Sequence, residues 1–311
     1  DTILDCNLID ELLSSLTLDP LVVVAVPKIL FMEKFVDIEI ESSEEFTIDL
    51  SELEKNLTYK KYFIRHGDKV QNNVSNFALS IGGIVRISLP VDDSKVTFKA
   101  FKTGPDQKLI FRFCSINTNN DLFLQKYNSV EKIHTELVLS KESIWWGRDV
   151  LNNAGSSIRD GNPYDRGFAE YDYGVHYRNP EYVEALCGCI AMIDPFIFLQ
   201  RSIFIDEFFA YFEDSELSLW VNRQGVHIKY NPSAIVRHYH SSITSENSII
   251  WEVLTSRSRT IYNQIMLNHS SKLRVTDNKY EKINGDLKNT LLSYDKSTNN
   301  RDLDVLIAKK R

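Results

Sequence analysis

The sequence predicts an α/β protein interrupted by an all-β unit. Three observations carry that reading. A helical pattern followed by a short unbroken apolar run opens the chain. Strict apolar–acidic alternation begins near residue 34. Apolar strand and helix patterns return after Trp145-Trp146. A helix followed by a strand buried on both faces is the grammar of a layered α/β domain. Strict alternation marks half-buried antiparallel strands.

Residues 4–17 place Leu4, Leu8, Leu12, Leu13 and Leu16 near the 3.6 period, and Pro20 stops that helix. Leu21–Val26 is the buried strand. From Glu33 to Lys60 there are nine acids against three bases, and Val36-Asp37-Ile38-Glu39-Ile40-Glu41 alternates strictly. Short strand patterns follow at Tyr62–Arg65, Asn76–Ile81, Ile84–Leu89, Val96–Lys102, Lys108–Cys114 and His134–Leu139. Gly, Asp, Asn and Pro clusters separate them, as in a β-sandwich, placed here at 34–142. Residues 147–181, rich in Gly, Asn, Asp, Arg and Tyr, read as a long loop. An apolar strand is expected at 182–193, a helix at 214–224 stopped by Gly225, strands at Val226–Tyr230 and Ala234–His238, and a longer helix at 246–268. The tail from 272 holds ten bases and six acids and reads as a polar helix or linker.

Composition bounds the function. The chain has 311 residues, 43% hydrophobic and 25% charged, which is ordinary for a globular protein of about two domains. Its net charge of −7 argues against a general nucleic-acid binder. No apolar run approaches the ~20 residues of a membrane span. Asp1-Thr2-Ile3-Leu4-Asp5 has neither a basic signal-peptide start nor an initiator Met, so the chain reads as a piece of something longer. Four cysteines, two of them in Cys187-Gly188-Cys189, are too few for a disulfide scaffold and read as buried thiols, consistent with a reducing cytoplasm.

Two stretches carry chemistry. In Phe204–Trp220 an aromatic segment delivers Glu213 and Asp214 to a helix start. Aromatic walls raise a carboxylate's pKa, as a general base requires. The plain alternative is that Asp214 caps the helix and Glu213 and Glu216 face its positive end. In Asn231–Ser242 a strand ends in His238-Tyr239-His240. Two imidazoles there suit a divalent metal, or equally a solvated strand end.

In their order along the chain, these pieces resemble the second half of a family-2 glycosyltransferase of the GT-A fold, in its bacterial rhamnosyltransferase-like branch. The resemblance rests on Leu186-Cys187-Gly188-Cys189, then Ile205-Asp206-Glu207-Phe208-Phe209-Ala210-Tyr211-Phe212-Glu213-Asp214-Ser215-Glu216-Leu217, then Gly225, then Tyr230-Asn-Pro232-Ser-Ala234 through His238. Asn153-Ala154-Gly155-Ser156, the stretch Asp160–Glu170 and Arg257-Ser258-Arg259 add to it. It covers 1–32 and 147–270. Glu216 stands where the family usually has Asp, and the Arg usual near Trp220 is missing there.

The resemblance implies a partial, Rossmann-like nucleotide-diphospho-sugar transferase fold. Residues 1–33 and 143–271 would form the acceptor-side half, 34–142 an inserted β-sandwich, and 272–311 a polar extension. It implies an inverting transfer of a hexosyl or rhamnosyl group from a nucleotide-diphosphate donor to a glycan or lipid-linked glycan, as in bacterial polysaccharide synthesis. The setting would be the cytoplasm or the inner membrane face. Asp214 would be the base, with Glu213 its substitute. Asp1 and His238 would hold Mg²⁺ or Mn²⁺, and Arg257 and Arg259 would face the diphosphate. Asp165, Arg166, Asp172 and Tyr173 would meet the acceptor. Trp145-Trp146 would pack at the domain boundary. The strands that hold the nucleotide base would lie before Asp1. The competing expectation is a non-catalytic glycan- or protein-binding module.

Overall fold

The computed structural model describes residues 2–42, 46–49, 62–66, 69–72, 76–79, 84–90, 95–102, 108–114, 121–128, 132–138, 147–198, 201–240 and 248–269. Asp1, Trp145-Trp146 and the tail from 270 lie outside the described residues.

The chain enters as strand β1 (Thr2–Leu4), helix α1 (Leu8–Thr17) and strand β2 (Val22–Phe31). Every residue of β2 is buried. Its alternate side chains serve opposite faces. Ala25 and Ile29 pack on Leu8 and Leu12 of α1. Val24 and Val26 pack in a second cluster with Leu217 and Val221. A strand covered on both sides has no place for an alternating polar residue, which explains the unbroken apolar run.

Ten strands follow: β3 (Phe35–Ser42), β4 (Phe46–Asp49), β5 (Phe63–His66), β6 (Lys69–Asn72), β7 (Asn76–Leu79), β8 (Ile84–Pro90), β9 (Lys95–Lys102), β10 (Lys108–Cys114), β11 (Asp121–Asn128) and β12 (Lys132–Val138). They form two antiparallel sheets, ordered β11-β10-β3-β8-β5-β6 and β12-β9-β4-β7. The sequence pattern missed β4, β6 and β11: β4 and β6 are only four residues long, and β11 lacks a strict apolar alternation.

The stretch expected as a loop contains β13 (Leu151–Asn153) and a hairpin of β14 (Ser156–Arg159) and β15 (Asn162–Asp165). Asp160 and Gly161 both take positive φ, 51° and 77°, at its turn. Such a pair matches the twist of the flanking strands. The expected strand at 182–193 is a correction. Only β16 (Glu181–Val183) and β17 (Met192–Ile193) are strand, and the backbone between them bonds elsewhere. Helix α2 (Glu213–Arg223), strand β18 (His227–His238) and helix α3 (Ile249–His269) complete the described chain. The two expected strands near the C-terminal part are one, β18, bulged between Asn231 and Ile235 where Pro232 can donate no ladder bond. Asn231 uses the bulge to donate to the Glu11 carbonyl and the Ser15 hydroxyl, tying α1 to the sheet.

The first sheet is ordered β1-β18-β2-β13, with β16 on β18 and β17 on β2. β18 and β2 run parallel, and the other pairs in that sheet are antiparallel. Helices α1 and α2 thus lie on opposite faces of the β2–β18 pair.

Candidate active site at the start of helix α2

Helix α2 is entered through two consecutive aromatic residues in the left-handed region, Tyr211 at φ 66° and Phe212 at φ 64°. For non-glycine residues this costs roughly 1–2 kcal/mol each and persists only where the surroundings impose it. Helix α3 supplies part of that restraint. Tyr262 packs 5.4 Å from the Phe212 ring, and the Arg259 guanidinium lies 5.6 Å over that ring. Ser258 donates to the Ala210 carbonyl at 2.7 Å, and Arg257 donates to the Glu207 carbonyl at 2.7 Å.

The strained entry presents Glu213 and Asp214. Asp214 Oδ2 accepts from the Gly188 amide at 2.9 Å. Its Oδ1 accepts from the Ser215 amide at 2.6 Å and the Ser215 hydroxyl at 3.1 Å. Burial raises its pKa against those three bonds, and the Asp165 charge adds to the rise. Glu213 is raised by burial and then by the Asp214 charge. Its Oε2 is buried without a hydrogen-bond partner among the described residues. A carboxylate has about four lone-pair positions, so Asp214 keeps capacity on Oδ2 for one further donor.

This arrangement explains the broken strand. Leu186 N–H bonds the Ser218 hydroxyl at 3.0 Å, and Gly188 N–H bonds Asp214, so this backbone serves α2 instead of a sheet ladder. The Cys187 thiol is held well above its usual pKa by its hydrogen bond with Cys189 and by burial. It is a neutral packing group, not a nucleophile.

The acceptor candidates are mostly engaged internally. Asp165 accepts from Asn153 at 2.5 Å and from Ser156 at 3.3 Å. Arg166 pairs with Glu181 and lies 5.2 Å over the Tyr177 ring. Asp172 forms a 2.8 Å ion pair with the buried Lys28. Tyr173 is 48% exposed, with the Arg148 guanidinium 5.1 Å over its ring. Of the four, Asp165 is the one whose charge is felt at Asp214.

His238 lies at the end of β18, paired in register with Thr2 of β1. Its Nδ1 meets Asn152 Oδ1 at 3.1 Å, and the Asn152 amide nitrogen meets His240 Nδ1 at 2.8 Å. The amide offers one acceptor and one donor, so the two imidazoles take opposite tautomers. Burial, then the neighbouring His240, lowers the His238 pKa to about 4. A neutral imidazole suits a metal. Among the described residues, however, no three His, Cys, Asp or Glu side chains converge to hold one. Asp1, the other residue expected at the metal, lies outside the described residues. Arg257 and Arg259 serve the 207–212 segment.

Four residues that sequence reasoning passed over position this site. Lys28 neutralises Asp172, and a lysine closing a buried apolar run was the available signal. Asn152 links the histidines. Ser218 ties α2 to the 186–188 backbone. Arg201 forms a two-pronged pair with Glu216 at 2.8 and 3.2 Å and stacks 4.8 Å over Trp220. One guanidinium thus holds Glu216 and covers the Trp220 ring.

No family model, curated protein or solved structure matches this chain. No helix among the described residues is long and apolar enough to cross a membrane.

Proposed function

We propose that this chain carries the acceptor-side part of an inverting glycosyltransferase. The reaction moves a hexosyl or rhamnosyl group from a nucleotide-diphosphate donor to a glycan hydroxyl, with Asp214 as base. One observation carries the reading most: a partly buried carboxylate of raised pKa is held by three local donors, directly after a strained two-residue entry. Strain at such a position is a mark of function more than of stability. In the step, the acceptor O–H proton passes to Asp214 Oδ2. The acceptor oxygen bonds the anomeric carbon, and the sugar–diphosphate C–O bond breaks with its electron pair leaving on the diphosphate. Preorganised donors on the carboxylate avoid reorganisation during that step.

A second reading, a non-catalytic binding module, draws support from the internal engagement of Asp165, Arg166 and Asp172. The test is nucleoside-diphosphate release from a panel of nucleotide sugars and bacterial glycans by the whole chain and by its Asp214→Asn variant. Release by the parent and its loss in the variant support the transferase. Equal release by both removes Asp214 as base, and release by neither favours the binding module.

A further inference from the structure

We propose that the sheet carrying β3, β5 and β8 is a fixed wall against the 165–173 loop, with Arg65 as the positioning residue that holds that loop. Asp37 on β3 is 3% exposed. It accepts from the Tyr171 hydroxyl and the Ser88 hydroxyl, each at 2.5 Å, and lies 4.0 Å from Arg65 Nε. Arg65 on β5 donates through Nε to Ser88 at 2.6 Å and through Nη2 to the Ala169 carbonyl at 2.5 Å. Its guanidinium also lies 4.5 Å over the Tyr171 ring. Phe35 and Phe63 of the β-unit share a buried cluster with Phe31, Val150 and Ala169, and Phe168 packs against it. The Phe168 ring also lies 5.6 Å from His240, which shares Asn152 with His238.

The clamp grips the loop at a strained point, since Ala169 sits at φ 63°. Asp165 and Arg166 lie just before it and Asp172 and Tyr173 just after. A tethered module that swings on linkers would not make these bonds, because separating the two strips buried Asp37 of the Tyr171 hydroxyl and Arg65 of the Ala169 carbonyl. Arginine fits the role because its planar fork reaches a hydroxyl and a carbonyl at once while its face stacks on tyrosine. That the loop so held meets an acceptor rests on the transferase reading; the clamp itself does not.

The test is hydrogen exchange on the full chain, without sugar nucleotide, comparing the parent with Arg65→Met and Tyr171→Phe. The reporting amides are those of Ala169, Glu170 and Asp172, bonded to the carbonyls of Leu151, Gly167 and Asp149. Arg65→Met should speed their exchange about tenfold and Tyr171→Phe about threefold, leaving β2 and β18 as in the parent. Parent-like exchange at these amides overturns the proposal. So does acceleration spread evenly through β2 and β18, which would mark Arg65 as a general stability residue. Should Arg65→Met fail to fold, Tyr171→Phe decides, since it removes one hydroxyl and keeps the ring. Failure of sugar transfer leaves the exchange result untouched, so the two readings fail separately.

Discussion

Gly188→Ala separates the placement of Asp214 from the stability of the fold. A methyl group built at Gly188 would lie 3.3 Å from Asp214 Cβ, 3.3 Å from its Oδ2 and 3.4 Å from Glu213 Oε1. Gly188 does not use the left-handed backbone region, so the substitution strains no dihedral. The two carboxylates must yield by a few tenths of an ångström, and Asp214 is pinned by Gly188 and Ser215. Overpacking of this kind costs about 1–3 kcal/mol, offset by about 0.4–1 kcal/mol because alanine restricts the unfolded chain. The expected net loss is at most about 2.6 kcal/mol, read from urea unfolding midpoints at constant slope. The Gly188 bond is one of the contacts that lower the Asp214 pKa. Weakening it should raise the carboxyl midpoint followed by carbon-13 NMR. If Asp214 is the base, transfer should fall roughly tenfold, since a displacement of 1 Å costs about a hundredfold. A parent-like carboxyl midpoint together with parent-like stability would refute the idea that Gly188 sets the position of Asp214.

Three further outcomes follow from the same contacts. Glu213 has a raised folded pKa, so the native state binds the extra proton and stability falls as pH climbs from about 4.5 through that value. Glu213→Gln should therefore match the parent in acid and exceed it at pH 7 by no more than about 1 kcal/mol, because Glu213 is only half-buried and water screens the penalty; equal stabilities at both pH values contradict this. Arg201→Met leaves Glu216, 6% exposed, as an unpaired buried carboxylate and should cost about 3–5 kcal/mol. Adding Glu216→Leu should recover most of it, and a double variant no better than the single one contradicts the pairing. His238, lowered from 6.5 to about 4, should stay neutral by proton NMR until about pH 4. Its contribution to stability is present above 6.5 and lost as pH falls through that window, and Asn152→Asp should move the midpoint upward by placing a carboxylate between the rings.

Elements with one dominant periodicity were legible in sequence. The helix expected at 4–17 is found at Leu8–Thr17, with Leu4 in β1 instead; the buried strand at Val22–Phe31 and the helix at Glu213–Arg223 follow their apolar patterns. The 182–193 segment was not legible. Val183, Ala185 and Leu186 are buried, but the amides of Leu186 and Gly188 bond Ser218 and Asp214 across the chain, and periodicity carries no record of a hydrogen-bond partner 26 or 32 residues away. The site divides in the same way. Adjacent carboxylates at a helix start can be read from local order, so Glu213 and Asp214 stand out. Whether a charged side chain faces solvent or a buried counter-ion depends on residues remote in sequence. Asp172, expected at an acceptor, meets Lys28, 144 residues away.

Glu216 makes the same point with the opposite sign. In sequence it was a departure from a pattern, with a second departure, the absent arginine, four residues on. In the fold Arg201 pairs with Glu216 and stacks on Trp220. It anchors α2 through its buried flank and leaves Glu213 and Asp214 without a cation in the hydrogen bonds that hold them. That matters to the proposed chemistry. A neighbouring cation would hold Asp214 ionised and weakly basic, whereas burial and the Asp165 charge raise its affinity for a proton. The direction of that shift is what proton abstraction from a hydroxyl demands.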